Sequence, residues 1–364
     1  MSGNNPFTPV FGKVPPYMAG RQDVIGPITQ ALEEGSNSPD IATLLVGPRG
    51  SGKTALLSYL AVEAQGRGWV AANVTASRGM LDDVVQQCRE GASHLLEEKD
   101  GSRLTGIQLG SVSLQWERGV QNPPNWRSLM NGITDELAKT DTGLLITVDE
   151  VDPRLEEMRH LVEVYQHFMR ENRKVALVMA GLPHNVSLMV SKYTTTFLRR
   201  AARHTLGPVP DYEIAEAFRL TVLQGGREIE PDALAAATEA IQGFPFMFQL
   251  VGYRAWNASP GERGVSIDDV RAGIVMAKAE LKSRVFDATL STLANGDIAF
   301  LAAMLEDEGD TLQSDMARRL NKSSSHVSTY KRRLLDEGVI EEPRRGRLRF
   351  CLPGFREFLL EEGV

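Results

Sequence analysis

Eight consecutive residues, Gly47-Pro48-Arg49-Gly50-Ser51-Gly52-Lys53-Thr54, have the types and spacing of a loop that wraps a chain of phosphates. Gly47, Gly50 and Gly52 tolerate the backbone angles such a loop needs, so that successive N–H groups point inward as an anion nest. Pro48, Arg49 and Ser51 fill the turn. Lys53 would meet the outer phosphates and act in catalysis, and the small hydroxyl of Thr54 would ligate Mg²⁺. Such a loop works only if a strand feeds it and a helix leaves it. The apolar run Ile41–Val46 predicts the buried parallel strand, and a helix from about Lys53 through Ala55 and Leu60 predicts the N-terminus that completes the anion site.

A second element has matching chemistry. Leu144-Leu145-Ile146-Thr147-Val148 is an apolar strand that ends in Asp149-Glu150. At the carboxyl edge of a sheet, Asp149 would hold the metal shell and Glu150 would polarise an attacking water. The pair of acids, rather than a single Asp, points to hydrolysis of a nucleoside triphosphate with ATP and Mg²⁺ as the expected cofactors.

At 364 residues the chain is long enough for two or three domains, and 42% hydrophobic residues can fill their cores. It contains no apolar run of membrane-spanning length, and its N-terminus has neither a basic nor an apolar leader segment, so the expectation is a cytoplasmic protein without a membrane partner. Cys88 and Cys351 have no metal-ligand spacing and read as reduced structural residues. The net charge of −7 hides an asymmetry: residues 318–350 hold ten basic residues against four acidic ones, a local surplus of six. That segment is suited to a polyanionic partner that the rest of the chain would repel.

The periodicity changes twice along the chain. To about residue 206 strands near Ile41–Val46, Trp69–Thr75, Gly143–Val148 and Val175–Met179 alternate with helices, predicting a parallel sheet core. An alternating stretch, Ile107 to Trp116, predicts a hairpin or edge-strand insertion. Residues 207–286 read as helical, and 287–364 as helices followed by a short strand pair.

The phosphate loop, the Val148-Asp149-Glu150 strand end and the preceding Tyr17-Met18-Ala19-Gly20-Arg21-Gln22-Asp23 together resemble the AAA+ ATPases of the origin-recognition and initiator type, and the related STAND ATPases. The resemblance runs from about residue 15 to the C-terminus. It implies an α/β P-loop NTPase core (1–206), a helical lid (207–286) and a C-terminal winged helix (287–364). It also implies that Pro16, Tyr17, Gly20, Arg21 and Ile25 border the base, although Gly20-Arg21 reads equally well as a helix-capping turn. The lid segment Gly243-Phe244-Pro245-Phe246 resembles the G-x-P element in which the proline packs on adenine; an ordinary first-turn proline is the other reading. Arg199 and Arg200 fall where these ATPases offer an arginine finger to a neighbouring subunit or to their own nucleotide, and where a solvated basic helix end is equally natural. The strand Val175–Met179 leads into Ala180-Gly181 where the family keeps a polar sensor, leaving His184 or Asn185 to stand in for it. The lid also lacks the initiators' sensor arginine.

In the last segment, helices over about 297–305, 312–320 and 325–336 have helix-turn-helix spacing. The third would present Ser325, His326, Ser328, Thr329, Lys331 and Arg332, and a basic hairpin tip would present Arg344, Arg345 and Arg347, to the phosphates and base edges of duplex DNA. The segment resembles winged-helix domains of initiator ATPases and of MarR-like regulators. The expectation is therefore a slow ATPase, converting ATP and water to ADP and phosphate, whose nucleotide state controls DNA binding or assembly. Two alternatives stay open: a STAND-type signalling switch whose winged helix docks on protein, and a mobile-element adaptor ATPase. Self-association or a protein partner is compatible with all three.

Overall fold

The computed structural model describes residues 4–10, 12–15, 17–100, 125–192, 196–259 and 264–364. The insertion expected at 107–116, and Pro16 near the base, lie outside the described residues.

Five strands form the core sheet: β1 (Ala42–Val46), β2 (Val70–Thr75), β3 (Leu144–Asp149), β4 (Val175–Gly181) and β5 (Ala202–Thr205). Their order is β2-β3-β4-β1-β5, and every neighbouring pair is parallel. β1 and β4 are buried along their whole length because helices cover both faces, which is why they read as unbroken apolar runs. The covering helices are α1 (Gln22–Glu34), α2 (Lys53–Gly66), α3 (Met80–Asp100), α4 (Trp126–Ala138), α5 (Glu156–Arg170) and α6 (Pro183–Lys192). β5 is the strand that periodicity does not reveal. It is four residues long, lies at the edge, and alternates half-buried with exposed positions.

The register decides where the chemistry can sit. Val46 aligns with Gly181 and Thr205, and Thr75 with Asp149, so all five strands end along one edge. The connection after β1 leads to β2 on one side, and the connection after β4 leads to β5 on the other. A crevice therefore opens between the ends of β1 and β4, the usual ligand position of an open parallel sheet.

Beyond β5 four helices, α7 (Asp211–Gln224), α8 (Pro231–Ile241), α9 (Pro245–Ala258) and α10 (Ile267–Leu281), pack as a separate layer. The N-terminal segment closes this layer: Phe7 is buried against Phe218 and Phe248, with ring centroids 4.9 and 5.8 Å away. Asn5 Nδ2 donates to Tyr253 O, and Gln249 Oε1 accepts from the Thr8 amide.

A wide helical turn (Lys282–Asp287) and α11 (Ala288–Thr292) lead to α12 (Asn295–Met304), β6 (Thr311–Leu312), α13 (Gln313–Arg319), α14 (Ser324–Asp336), the hairpin β7 (Ile340–Arg344) and β8 (Arg347–Phe350), and α15 (Phe355–Glu361). The three strands pair antiparallel in the order β6-β8-β7. Phe286 packs on Phe355 and Phe358 at 5.3 and 5.2 Å, so the apolar core of the lid runs on into this last unit. Among the described residues no helix is long and apolar enough to cross a membrane.

Candidate functional site

Residues 47–54 bridge β1 and α2 at the sheet edge, as the spacing requires. The Gly47 amide donates to Gly181 O, and Leu206 N donates to Val46 O, which pins the loop between β4 and β5. Lys53 folds back over the loop, and Nζ donates to Gly47 O at 2.9 Å and Pro48 O at 2.7 Å. Burial pulls its ammonium down to about 8, against the opposing pull of Asp149 and with a smaller push from Arg49. The Ser51 hydroxyl is buried in the loop without a hydrogen-bond partner. An orphaned donor beside a buried ammonium and a helix N-terminus fits an anion.

Thr54 Oγ1 donates to Asp149 Oδ2 at 2.5 Å, and Asp149 Oδ1 accepts from the Glu150 amide at 2.8 Å. A hydroxyl and a carboxylate in contact form a hard oxygen set of the kind Mg²⁺ takes. Glu150 is exposed and has φ 53°, a left-handed turn that ends β3 at the acid pair. Non-glycine residues hold that conformation at a cost of about 1 kcal/mol, and the bond to Asp149 supports it here.

The lid meets the loop directly. Gly50 has φ +74°, and a Cβ there would lie 2.2 Å from the Phe244 ring, so any side chain at position 50 would push the lid away. Pro245 comes within 3.6 Å of the Cβ position at Gly52. It therefore sits over the phosphate loop while also occupying the first turn of α9. Arg21 is 7% exposed, and its Nη2 donates to Ser51 O at 3.2 Å and Gly207 O at 2.9 Å. Its guanidinium thus ties the phosphate loop to the hinge that leads into the lid. Burial lowers its pKa, and Asp23 and Glu213 oppose this. Arg21 also stands at the N-cap of α1, where its carbonyl accepts from Val24 and Ile25. Tyr17 is 37% exposed.

Two groups of residues fall elsewhere than the nucleotide crevice. Arg199 and Arg200 are exposed just before β5, at the opposite edge of the sheet from the phosphate loop. The length of β5 alone separates them from it by roughly 10 Å. His184, a stand-in for the missing sensor, turns to the C-terminal unit, with Nε2 3.1 Å from Asp336 Oδ1. Burial lowers its pKa despite that carboxylate.

In the C-terminal unit Ser325, His326, Ser328, Thr329, Arg332, Arg344, Arg345 and Arg347 are all exposed. Ser323 Oγ lies 2.9 Å from Ser325 Oγ and 2.8 Å from His326 Nδ1, which orders the start of α14. Lys331 is a correction. It is not presented to a partner, because Glu342 Oε2 at 2.7 Å and Gln313 Oε1 at 2.8 Å hold its ammonium inward between α13, α14 and the hairpin.

How this unit sits on the core is not among the sequence expectations. Glu337 Oε2 lies 3.5 Å from Arg49 Nη2 in the phosphate loop, and Asp336 Oδ2 lies 4.0 Å from Arg154 Nη1. Gly338, at φ +65°, passes so close to Leu182 that a Cβ would stand 2.9 Å from its Cδ1. The one available signal was the four acids inside the basic segment. Asp336 and Glu337 face core cations, while Glu341 and Glu342 bind Arg349 and Lys331 within the unit.

Residues 38–189 match the family model of the AAA domain, and residues 283–359 match a domain of unknown function (DUF8462). The solved structure of the Aeropyrum pernix ORC2 protein in its ADPNP-ADP complexes aligns over 97% of this chain and 95% of that one, with 14% identity and a TM-score of 0.61. The ADP form of the same protein aligns over 97% and 96%, with 14% identity and a TM-score of 0.56. A Cdc6p from Pyrobaculum aerophilum aligns over 98% of both chains, with 14% identity and a TM-score of 0.49. No curated protein matches the chain by sequence. Residues 38–189 are thus similar to an AAA domain, and the parallel sheet with its covering helices has the AAA+ P-loop fold.

The C-terminal unit covers part of the segments that follow β1, β3 and β4 at this edge of the sheet. Its hairpin, the end of α14 and the start of α6 enclose a cavity of about 140 Å³ lined by His184, Ser187, Glu341, Glu342 and Cys351 among others. Burial pushes the Cys351 thiol well above its ordinary range, and that of Cys88, inside the core, up to about 12. Both are expected to react with a thiol reagent at least ~100 times more slowly in the native protein than in the unfolded chain. Prompt labelling of Cys351 would show the C-terminal unit to be off the core.

Proposed function

We propose that this protein binds and slowly hydrolyses ATP, and that its nucleotide state controls duplex DNA binding through the C-terminal winged helix. The observation that carries this reading is the coexistence of an intact phosphate loop, linked through Thr54 to Asp149, with a basic helix and hairpin surface left exposed although the unit rests on the core. The ORC2 structures named above hold ADPNP and ADP, and this chain shares their fold.

ATP would lie in the crevice between the ends of β1 and β4, with its phosphates in the nest of residues 47–54 and its base toward Tyr17, Arg21 and Pro245. Thr54 and Asp149 would hold Mg²⁺, which when bound neutralises charge on the transferring phosphoryl group. Lys53 would leave the carbonyls of Gly47 and Pro48 to meet the outer phosphates. Glu150 would orient and deprotonate the attacking water. Arg199 and Arg200, remote from their own crevice, would serve the nucleotide of a neighbouring copy, which makes self-association part of this reading. We place the protein in the cytoplasm, where both ligands are available.

Duplex DNA titrated by fluorescence anisotropy tests the reading. With about four phosphates neutralised, affinity should fall by ~100-fold between 50 and 200 mM salt. Replacement of Arg344, Arg345 and Arg347 by Glu should weaken binding at least ~10-fold and flatten the salt slope by about 3. Absence of salt-dependent binding in both the ATP and ADP states would overturn it. The contacts of Asp336 and Glu337 with the core support a second reading, a signalling switch whose winged helix docks on protein. In that case the same triple variant would alter ATP turnover alone.

A further inference from the structure

One end of one helix touches the segments that follow three of the five strands at the nucleotide edge of the sheet, β1, β3 and β4. Glu337, directly after α14, faces Arg49 in the loop after β1. Asp336, the last residue of α14, faces Arg154 in the loop after β3, four residues beyond Glu150, and His184 in the first turn of α6, directly after the β4 turn. Gly338 packs on Leu182 in the turn between β4 and α6. The other end of α14 carries Ser325, His326, Ser328 and Thr329, all exposed. Thirteen residues of helix span about 20 Å, and between its ends α14 is braced by Val327, Leu334 and Leu335 in the core of its own unit.

We propose that α14 is a rigid lever that couples duplex DNA on its N-terminal half to ATP in the P-loop through the contacts of Asp336, Glu337 and Gly338 with the loops after β1, β3 and β4. This rests on the DNA reading above and adds to it the route and the sign of the control.

The sign follows from charge. Bound triphosphate places several negative charges at the loop that holds Arg49, so they compete with Glu337 for the same guanidinium. Arg49 and Glu337 are each about half exposed, and an exposed ion pair of this kind is weak enough to exchange readily. Once Arg49 turns to the phosphates, Glu337 becomes an uncompensated acid at the end of the helix that lies on DNA, adding to the charge of its neighbour Asp336, and it repels the DNA phosphates. ATP therefore weakens DNA binding, and by linkage DNA weakens ATP binding by the same factor.

The experiment measures anisotropy of a labelled mixed-sequence duplex with and without a non-hydrolysable ATP analogue and Mg²⁺. In the wild-type protein the analogue should raise the DNA dissociation constant about fivefold or more, within the usual range for coupled sites. In the variant Asp336→Asn with Glu337→Gln the ratio should fall to about one, while DNA still binds in the absence of nucleotide. Gly338→Ala, which forces the helix end away from Leu182 without changing charge, should lose the coupling in the same way. A melting curve checks that each variant is folded. If DNA binds but the wild-type ratio is one or reversed, or persists in both variants, the lever is overturned alone. If no DNA binds in any state, both it and the proposed function fall.

Discussion

Lys53→Ala should raise the dissociation constant for Mg·ATP by at least ~100-fold, measured by isothermal titration calorimetry on the full chain. Lys53 carries the buried ammonium of the phosphate loop; Arg49, the loop's other cation, is about half exposed and faces Glu337. A hydrogen bond to a charged group is worth about 1.5–3 kcal/mol, and two such bonds to the outer phosphates exceed the ~2.7 kcal/mol that 100-fold requires. The loss should fall on binding and leave the fold intact. Folding already works against this charge, because burial holds its pKa at about 8, below that of a solvated lysine, so removing the ammonium relieves a desolvation cost. The carbonyls of Gly47 and Pro48 lose a donor, but both hydrogen bonds are only part-buried, which limits the cost. A dissociation constant within about threefold of wild type would show that the phosphates do not meet Lys53.

The contrast between what could and could not be read from the sequence follows from the range of the interactions involved. The phosphate loop, β1 and the Asp149-Glu150 strand end were legible because each depends on neighbours in the chain: glycines for tight turns, apolar runs for strands buried on both faces, acids at a strand exit. The bond from Thr54 to Asp149 joins residues far apart in sequence, yet it follows once both strand ends are placed on one edge. β5 was not legible, since four half-exposed edge residues produce no period. Lys331 was misread for a related reason. Its position on α14 suggested exposure, but the hairpin folds back and puts Glu342 beside it. Least legible was the contact of Asp336, Glu337 and Gly338 with the core, because it depends on how two independently patterned units pack. Counting Asp336 and Glu337 against the basic surplus also understated the charge available to DNA, since core cations face both carboxylates.

Glu150→Gln should separate binding from chemistry. Glutamine keeps the size and one acceptor oxygen of the side chain but cannot take a proton from water. The left-handed turn at position 150 and its amide bond to Asp149 are backbone features, so Thr54 and Asp149 stay in place to hold the metal. ATP affinity should therefore stay within about threefold of wild type, while turnover should fall ~10²–10³-fold, the usual loss when a general base is removed. Phosphate release in the steady state measures the rate. Chromatography of the nucleotide recovered with the protein should return ATP from the variant and ADP from the wild type. Equal turnover would remove Glu150 as the base, and the exposed position of its side chain gives that outcome a clear meaning: water would then be oriented by groups reaching the crevice from the lid or from another copy. If turnover falls as expected, the trapped ATP holds the loop charged without decay. The weakening of DNA binding that ATP produces through Arg49 and Glu337 should then persist for as long as the complex lasts, whereas in the wild type it should fade as phosphate is released.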